Sequence, residues 1–257
     1  MAKLSTIDER RERASAGVAL AADTDGWYGD FARPRVFLQP IAAPSILGLA
    51  GFAGATFMVA SNVAGWWGTP TSGLVLAPFA AMFGGLAQFV AGMWAYKARD
   101  AIATLAHGTW GAFWLGYGIL NILLATHTLP APTPWYHSPE VGFWFFALAI
   151  TTAIAAVAAL AEGIGLFAVL STLAAGSGIL AGAHIFGSLG WAHVAGWVLV
   201  FSAGFAWYMV LAMVTKAASG RTIFPVGKYE KEANMPGEQP TRPIQLEWAE
   251  PGVKMGQ

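Results

Sequence analysis

The chain reads as an all-α integral membrane protein, a channel-like bundle of six transmembrane helices with both ends on one side of the membrane. Three observations lead there. Of its 257 residues, 56% are hydrophobic and 11% charged, with a mean hydropathy of +0.54, whereas ordinary soluble domains carry about 25% charged residues. Six separate stretches supply the run of about 20 apolar residues that a helix needs to cross the hydrocarbon of a bilayer. Every one of the fourteen Lys and Arg residues falls in segments that a six-span topology brings to the same side.

The elements follow in order. Residues 1–43 form a polar N-terminal tail, without the early apolar run of a cleavable secretory signal. The expected spans cover approximately 45–66, 74–96, 102–125, 141–161, 164–186 and 191–214, and residues 217–257 form a polar, Pro-containing tail. "WGTPTSG" separates the first two spans, "YKARDA" the next two, and "HTLPAPTPWYHSPE" makes the longest connection. Only Glu162 and Gly163 separate spans four and five, and "GSLG" spans five and six, so these pairs are adjacent antiparallel helices.

Orientation comes from the basic residues. Lys3, Arg10, Arg11, Arg13, Arg33 and Arg35 precede span one, Lys97 and Arg99 join spans two and three, and Lys216, Arg221, Lys228, Lys231, Arg242 and Lys254 follow span six. The positive-inside rule makes that side cytoplasmic, so the expected protein is a multi-pass protein of the cell membrane with both termini in the cytoplasm. The opposite loops carry Trp66, Trp67, Trp135 and Tyr136, amphipathic rings suited to an interface with lipid.

Composition also removes several kinds of chemistry. There is no Cys, so disulfides, thiolate catalysis and Cys-bound metals are excluded. No metal-ligand cluster, phosphate-binding Gly loop or nucleophile triad occurs, nothing in the charge pattern points to nucleic acid, and no enzyme activity or cofactor is expected. An internal repeat of spans is not visible. Glu140 and Glu162 sit at helix ends, which leaves His107, His184 and His193 as the ionisable groups within or near the spans. A solute path here must select by size, aromatic walls, hydroxyls, amides and backbone dipoles.

Small residues mark helix packing: Gly48, Gly51 and Gly54 in span one, Gly84, Gly85 and Gly92 in span two, Gly178 and Gly182 in span five. Lipid offers helices no hydrophobic reason to associate, so close approach at such residues must hold them together. Gln88 lies one turn from Gly84, Gly85 and Gly92. It reads first as an amide that bonds a neighbouring helix, and second as a lining group.

The segments "PSILGLAGFAGATFMVASNVAGWW" (44–67), "GGLAQFVAGMWAYK" (84–97), "HGTWGAFWL" (107–115), "HVAGW" (193–197) and "GRTIFPVG" (220–227) occur in this order. Together they resemble the acetate uptake transporter family, the succinate-acetate permeases. That family opens its first span with an Asn-Pro-Ala-Pro-Leu-Gly-Leu signature. Ala43, Pro44, Ser45, Ile46, Leu47, Gly48 and Leu49 stand there, without the Asn and the second Pro, a departure that bears on solute identity.

The resemblance implies a hexamer of six-helix protomers, each with its own path for a monocarboxylate and possible use of succinate or a coupled proton. It also implies a narrow point built by Phe52, Trp110 (where the family has Tyr) and Leu173. Helical spacing extends each into a stripe: Phe52 and Thr56; Trp110, Trp114, Tyr117 and Asn121; Leu173, Ser177, Leu180 and His184. Such stripes are either packing core or the lining of a small-molecule site. The expected carboxylate donor is a helix N-terminus or the Trp110 N–H; Asn62 reads as a helix-end group or a vestibule contact, His184 as a structural or mouth residue, His193 as a cap or interface residue, His107 as a packing residue, and Arg221 as a topology or headgroup contact or a carboxylate binder. The alternatives to a carboxylate path are a channel for a small neutral solute and a membrane scaffold or sensor.

Overall fold

The computed structural model describes residues 41–228. Among them the chain forms helices and no strands. Six helices are long and apolar enough to cross a membrane: α1 (Pro44–Val63), α2 (Ser72–Ala98), α3 (Ala101–Ala125), α4 (Pro139–Ala159), α5 (Ile164–Phe186) and α6 (Leu189–Ser219). The expected N-terminal tail up to residue 40 and residues 229–257 lie outside the described residues. With them go Lys3, Arg10, Arg11, Arg13, Arg33, Arg35, Lys231, Arg242 and Lys254.

Helix ends have local causes. Pro44 sits in the first turn of α1, where a missing N–H costs nothing. The helix stops at Val63, short of the expected 66, because Gly65 turns into the left-handed region at φ +78°. The chain then folds back on the helix end: Trp67 Nε1 donates to Ser61 Oγ at 3.0 Å and Asn62 Nδ2 donates to the Trp67 carbonyl at 2.8 Å. Asn62 is thus the helix-end group its position suggests. Asp100 caps α3, its Oδ1 accepting from the Ala103 N–H at 2.8 Å.

α2 is not one regular helix. Ser72–Phe79 is α-helical and contains Pro78, Ala80–Ala87 winds as a π-helix, and Gln88–Ala98 is α-helical again. Pro78 brings no N–H to the ladder, and the wider winding begins two residues later. This segment carries Gly84 and Gly85 into close contact with the neighbouring helices. Gly84 lies against Ala55 of α1 and the Trp114 ring of α3, Gly85 against Leu115, and Gly51 of α1 against the Phe83 carbonyl. Further along, a Cβ on Gly92 would stand 2.7 Å from the Gly108 nitrogen of α3. α2 therefore wedges between α1 and α3.

The remaining contacts close the bundle. α1 meets α6 at Gly196, which lies on the backbone of Ala60 and Ala64. α5 meets α6 where Gly176 packs on Leu199 and Ser202 Oγ donates to the Val169 carbonyl at 2.9 Å. α4 meets α5 at Gly142, against Ile185 and the Ala181 carbonyl.

Two expectations about packing and boundaries change. Gly178 and Gly182 are not buried helix contacts within the protomer: a Cβ on Gly178 would reach only Ala149, at 3.8 Å, and one on Gly182 would meet nothing within 4 Å. They border a groove of about 540 Å³ on the outer face of α5. The segment after α6 also belongs to the helical unit, because it returns to the head of α5. There the Ile164 and Gly165 N–H groups donate to the carbonyls of Gly227 and Val226 at 2.9 and 3.0 Å, and Tyr208 Oη donates to the Pro225 carbonyl at 2.7 Å. Two N–H groups that α5 itself leaves unpaired are satisfied in this way.

The outer face is apolar. Phe79, Met82, Ile119, Ile122, Phe143, Ile154, Val157 and Phe201 are all exposed, a belt far beyond what a monomeric soluble protein displays.

Candidate functional site: a neck between α1, α3 and α5

The three sequence stripes converge in the interior. Phe52 is 2% exposed, Leu173 1% and Ser177 0%; Thr56, Trp110, Trp114 and His184 are also buried, and Tyr117 is half-buried. Phe52, Trp110, Trp114 and Leu173 belong to one buried cluster, with Tyr117 packed against it.

Helix direction gives this cluster layers. α1, α3 and α5 all run the same way, as alternate crossings must. Phe52, Trp110 and Leu173 stand eight, nine and nine residues past the helix starts Pro44, Ala101 and Ile164, about 12–14 Å along helices rising about 1.5 Å per residue. The ring contact of Phe52 with Trp110, and the buried cluster both share with Leu173, bring the three residues together. Four residues further along each helix come Thr56, Trp114 and Ser177, one turn deeper and on the same faces.

The two layers differ in polarity. The first is hydrocarbon: the Phe52 and Trp110 rings meet edge to face at 6.4 Å, with Leu173 in the same cluster. In the second, Thr56 Oγ1, Trp114 Nε1 and Ser177 Oγ are fully buried and make no hydrogen bond within the protein. Native interiors pair nearly all such groups, so three orphans, each one turn past a residue of the first layer, form a set of donors and acceptors available to a solute or water. His184 Nδ1, two turns beyond Ser177, is a fourth buried and unpaired atom.

An aromatic ladder joins the layers to the far end. Trp110 to Phe113 is 5.2 Å between ring centroids, Phe113 to Trp114 5.0 Å and Trp114 to Tyr117 5.5 Å. Phe113 also meets Phe145 of α4 at 5.2 Å, and Phe145 stacks on the His184 ring at 6.1 Å with a 7° tilt. Trp135 stands edge-on to the same imidazole at 6.3 Å. Sequence reasoning missed Phe113 and Phe145. Phe113 lies three residues from Trp110, a spacing that could have found it, whereas Phe145 is hidden in the uniformly aromatic "FWFF".

One expected role is corrected. The Trp110 N–H does not face a solute: Nε1 donates to Thr152 Oγ1 of α4 at 2.9 Å. Asn121, at the end of the same stripe, uses its amide locally, Nδ2 donating to the Tyr117 carbonyl at 2.9 Å. Leu180, on the α5 stripe, is buried in the cluster.

Gln88 and His107 form a separate polar contact on the side of the neck where α1 and α3 begin. Both are buried, with Gln88 Nε2 and His107 Nδ1 3.5 Å apart. The imidazole lies flat against the bare backbone of Gly48, where a Cβ would come within 2.6 Å of three ring atoms. Gln88 Oε1 is unpaired. The amide does bridge α2 to α3, at the outer limit of hydrogen-bond distance. His193 covers Gly65 beyond the end of α1, and the backbone of Arg221 is held by Ser219. A second groove, of about 560 Å³, is lined by Met93, Tyr96, Arg99, Leu105 and Gly108 on the outer face of α2 and α3. Neither groove involves a stripe residue.

Known proteins resemble this arrangement. The succinate-acetate/proton symporter SatP of Escherichia coli K12 is 27% identical over 188 residues, covering 73% of this chain and 96% of that one. Ammonia transport outward protein 2 of Saccharomyces cerevisiae is 28% identical over 200 residues, 72% of this chain and 67% of its own length. The solved structure of the bacterial acetate channel SatP superposes with a TM-score of 0.67 at 24% identity, over 73% of this chain and all of that one, so the two share a fold. These relatives are transport proteins rather than enzymes. The pattern of one family matches residues 32–229, and the chain belongs to it: the GPR1/FUN34/yaaH family.

Proposed function

We propose that this protein is a multi-pass channel or transporter for acetate or a comparably small monocarboxylate, with the path running between α1, α3 and α5. One observation carries the reading. A dry layer of Phe52, Trp110 and Leu173 is followed one turn later by Thr56, Trp114 and Ser177, whose buried polar atoms bond nothing in the protein. The first layer excludes large and hydrated solutes. The second offers hydroxyls and an indole N–H to a carboxyl group that has shed its water, and His184 extends the polar positions toward the far mouth. The names of the bacterial relatives support the solute class.

A path without fixed charge favours the protonated acid, which crosses a low-dielectric neck far more cheaply than the anion. Proton-linked entry is therefore the preferred mode, and succinate is the next solute to test. The protomer assembles as a homo-hexamer in the cell membrane, with lipid or neighbouring copies covering the apolar belt. Lys97, Arg99, Lys216, Arg221 and Lys228, which lie at and after the ends of α2 and α6, support a cytoplasmic location for both polar tails. A second reading, a channel for a small neutral solute, draws on the same uncharged lining and on the name of the yeast relative.

The test is uptake of labelled acetate into proteoliposomes across a pH gradient, for the natural chain beside Phe52→Trp and Trp110→Ala. Saturable flux that is blocked by the first change and altered by the second is the expected result. Folded, oligomeric protein that passes no more acetate than empty liposomes overturns the assignment, and passage of ammonia or urea under those conditions favours the second reading.

A further inference from the structure

One residue of the neck is bonded to a helix that carries none of the stripes. Trp110 Nε1 donates to Thr152 Oγ1 at 2.9 Å, and the Thr152 hydroxyl donates its own proton to the Leu148 carbonyl, one turn back on α4, at 2.7 Å. Both side chains are 3% exposed, so water does not compete for the bond. An indole has one N–H and no acceptor. Once that proton is given to Thr152, the ring has only hydrocarbon left to present. Because the hydroxyl proton is committed to the α4 backbone, Thr152 is fixed as acceptor and the ring is fixed with it.

The comparison within the molecule is Trp114, one turn further along the same face. Its Nε1 is equally buried and bonds nothing. Two indoles four residues apart thus play opposite parts, and a single hydroxyl on α4 makes the difference. Resting on the reading of the neck given above, we propose that Thr152 is a positioning residue for solute selection. By holding the Trp110 N–H toward α4 it keeps the first layer apolar and confines hydrogen-bonding contact to the layer of Thr56, Trp114 and Ser177.

Thr152→Val keeps the shape and removes the acceptor, and Thr152→Ser restores it. Two measurements test the idea. In proteoliposomes, the flux of acetamide relative to acetate, two solutes of similar size and different polarity, is expected to rise roughly three- to tenfold in Thr152→Val, the range one neutral hydrogen bond spans. It returns to the natural ratio in Thr152→Ser. On a Trp110→Phe background, which has no N–H to release, Thr152→Val is expected to change the ratio no further. Independently of any transport, the ¹⁵N-indole resonance of Trp110, assigned by its loss in Trp110→Phe, is expected to shift and to exchange faster with water in Thr152→Val but not in Thr152→Ser.

An unchanged flux ratio together with unchanged indole exchange in Thr152→Val overturns the proposal. So does a change that persists in Thr152→Ser or on the Trp110→Phe background, since that reports packing rather than the bond. If the natural protein carries no acetate, the assignment of the path fails on that measurement alone, and the indole exchange still decides whether Thr152 holds the ring.

Discussion

Replacing Gly92 by Ala tests whether α2 is held against α3 by backbone contact. A Cβ there would lie 2.7 Å from the Gly108 nitrogen and 3.1 Å from Gly108 Cα and the His107 carbonyl carbon. All three are main-chain atoms, so no side chain can turn aside. To recover the roughly 3.5 Å of an ordinary contact, the helices must part by about 0.8 Å. Overfilling of this kind costs about 1–3 kcal/mol, offset by up to about 1 kcal/mol from the better helix propensity of Ala. Gly182→Ala is the control, because a Cβ there meets nothing within 4 Å and only the propensity gain remains. The two alanines should therefore differ by about 2 kcal/mol, Gly92→Ala being the less stable. The assay is SDS titration of detergent-solubilised protein of matched oligomeric state, followed by the fluorescence of its 12 Trp residues. Equal midpoints for the two variants, or a Gly92→Ala midpoint at the natural value, would refute the reasoning.

Other outcomes follow from the same geometry. Ser177→Ala removes a buried hydroxyl that bonds nothing in the protein; stability in the SDS titration should hold or rise slightly, while acetate flux falls, and a loss of stability above about 1 kcal/mol would assign Ser177 to structure. Gln88 and His107 meet at 3.5 Å, a marginal bond, so a double-mutant cycle of Gln88→Leu and His107→Phe should give a coupling below about 1 kcal/mol. A larger coupling would mean that the amide and imidazole bond more closely than this distance. Asp100→Ala should destabilise the start of α3 by about 1 kcal/mol and Asp100→Asn by much less, since either Asp or Asn can accept from the Ala103 N–H. Equal effects of the two changes, read from SDS midpoints, would attribute the role to charge instead of capping.

The six crossings are legible because the signal for each lies in consecutive residues. Five of the six starts and stops fall within a few residues of the apolar runs; α6 extends furthest, to Ser219, where apolar and polar residues intermingle. The stripes on α1, α3 and α5 are legible for a related reason: a period of three and four residues says which side chains share a face. What covers that face is not stated by the period. Gly92 and Gly182 are both glycines in apolar helices, yet one touches a neighbouring backbone and the other touches nothing. The π-helical turns of Ala80–Ala87 are equally hidden, since the Pro78 before them permits either a kink or a change of winding.

By itself, then, the sequence determined the membrane class, the number of helices able to cross and the faces that turn inward, because each follows from residues near one another along the chain. Only the tertiary structure decided how those faces behave. It brought Phe52, Trp110 and Leu173 into one buried cluster, left Thr56, Trp114 and Ser177 without partners one turn further along, and gave the Trp110 N–H to Thr152, 42 positions away. The physical reason is that a hydrogen bond between helices depends on their rotation and relative height to within a few tenths of an ångström.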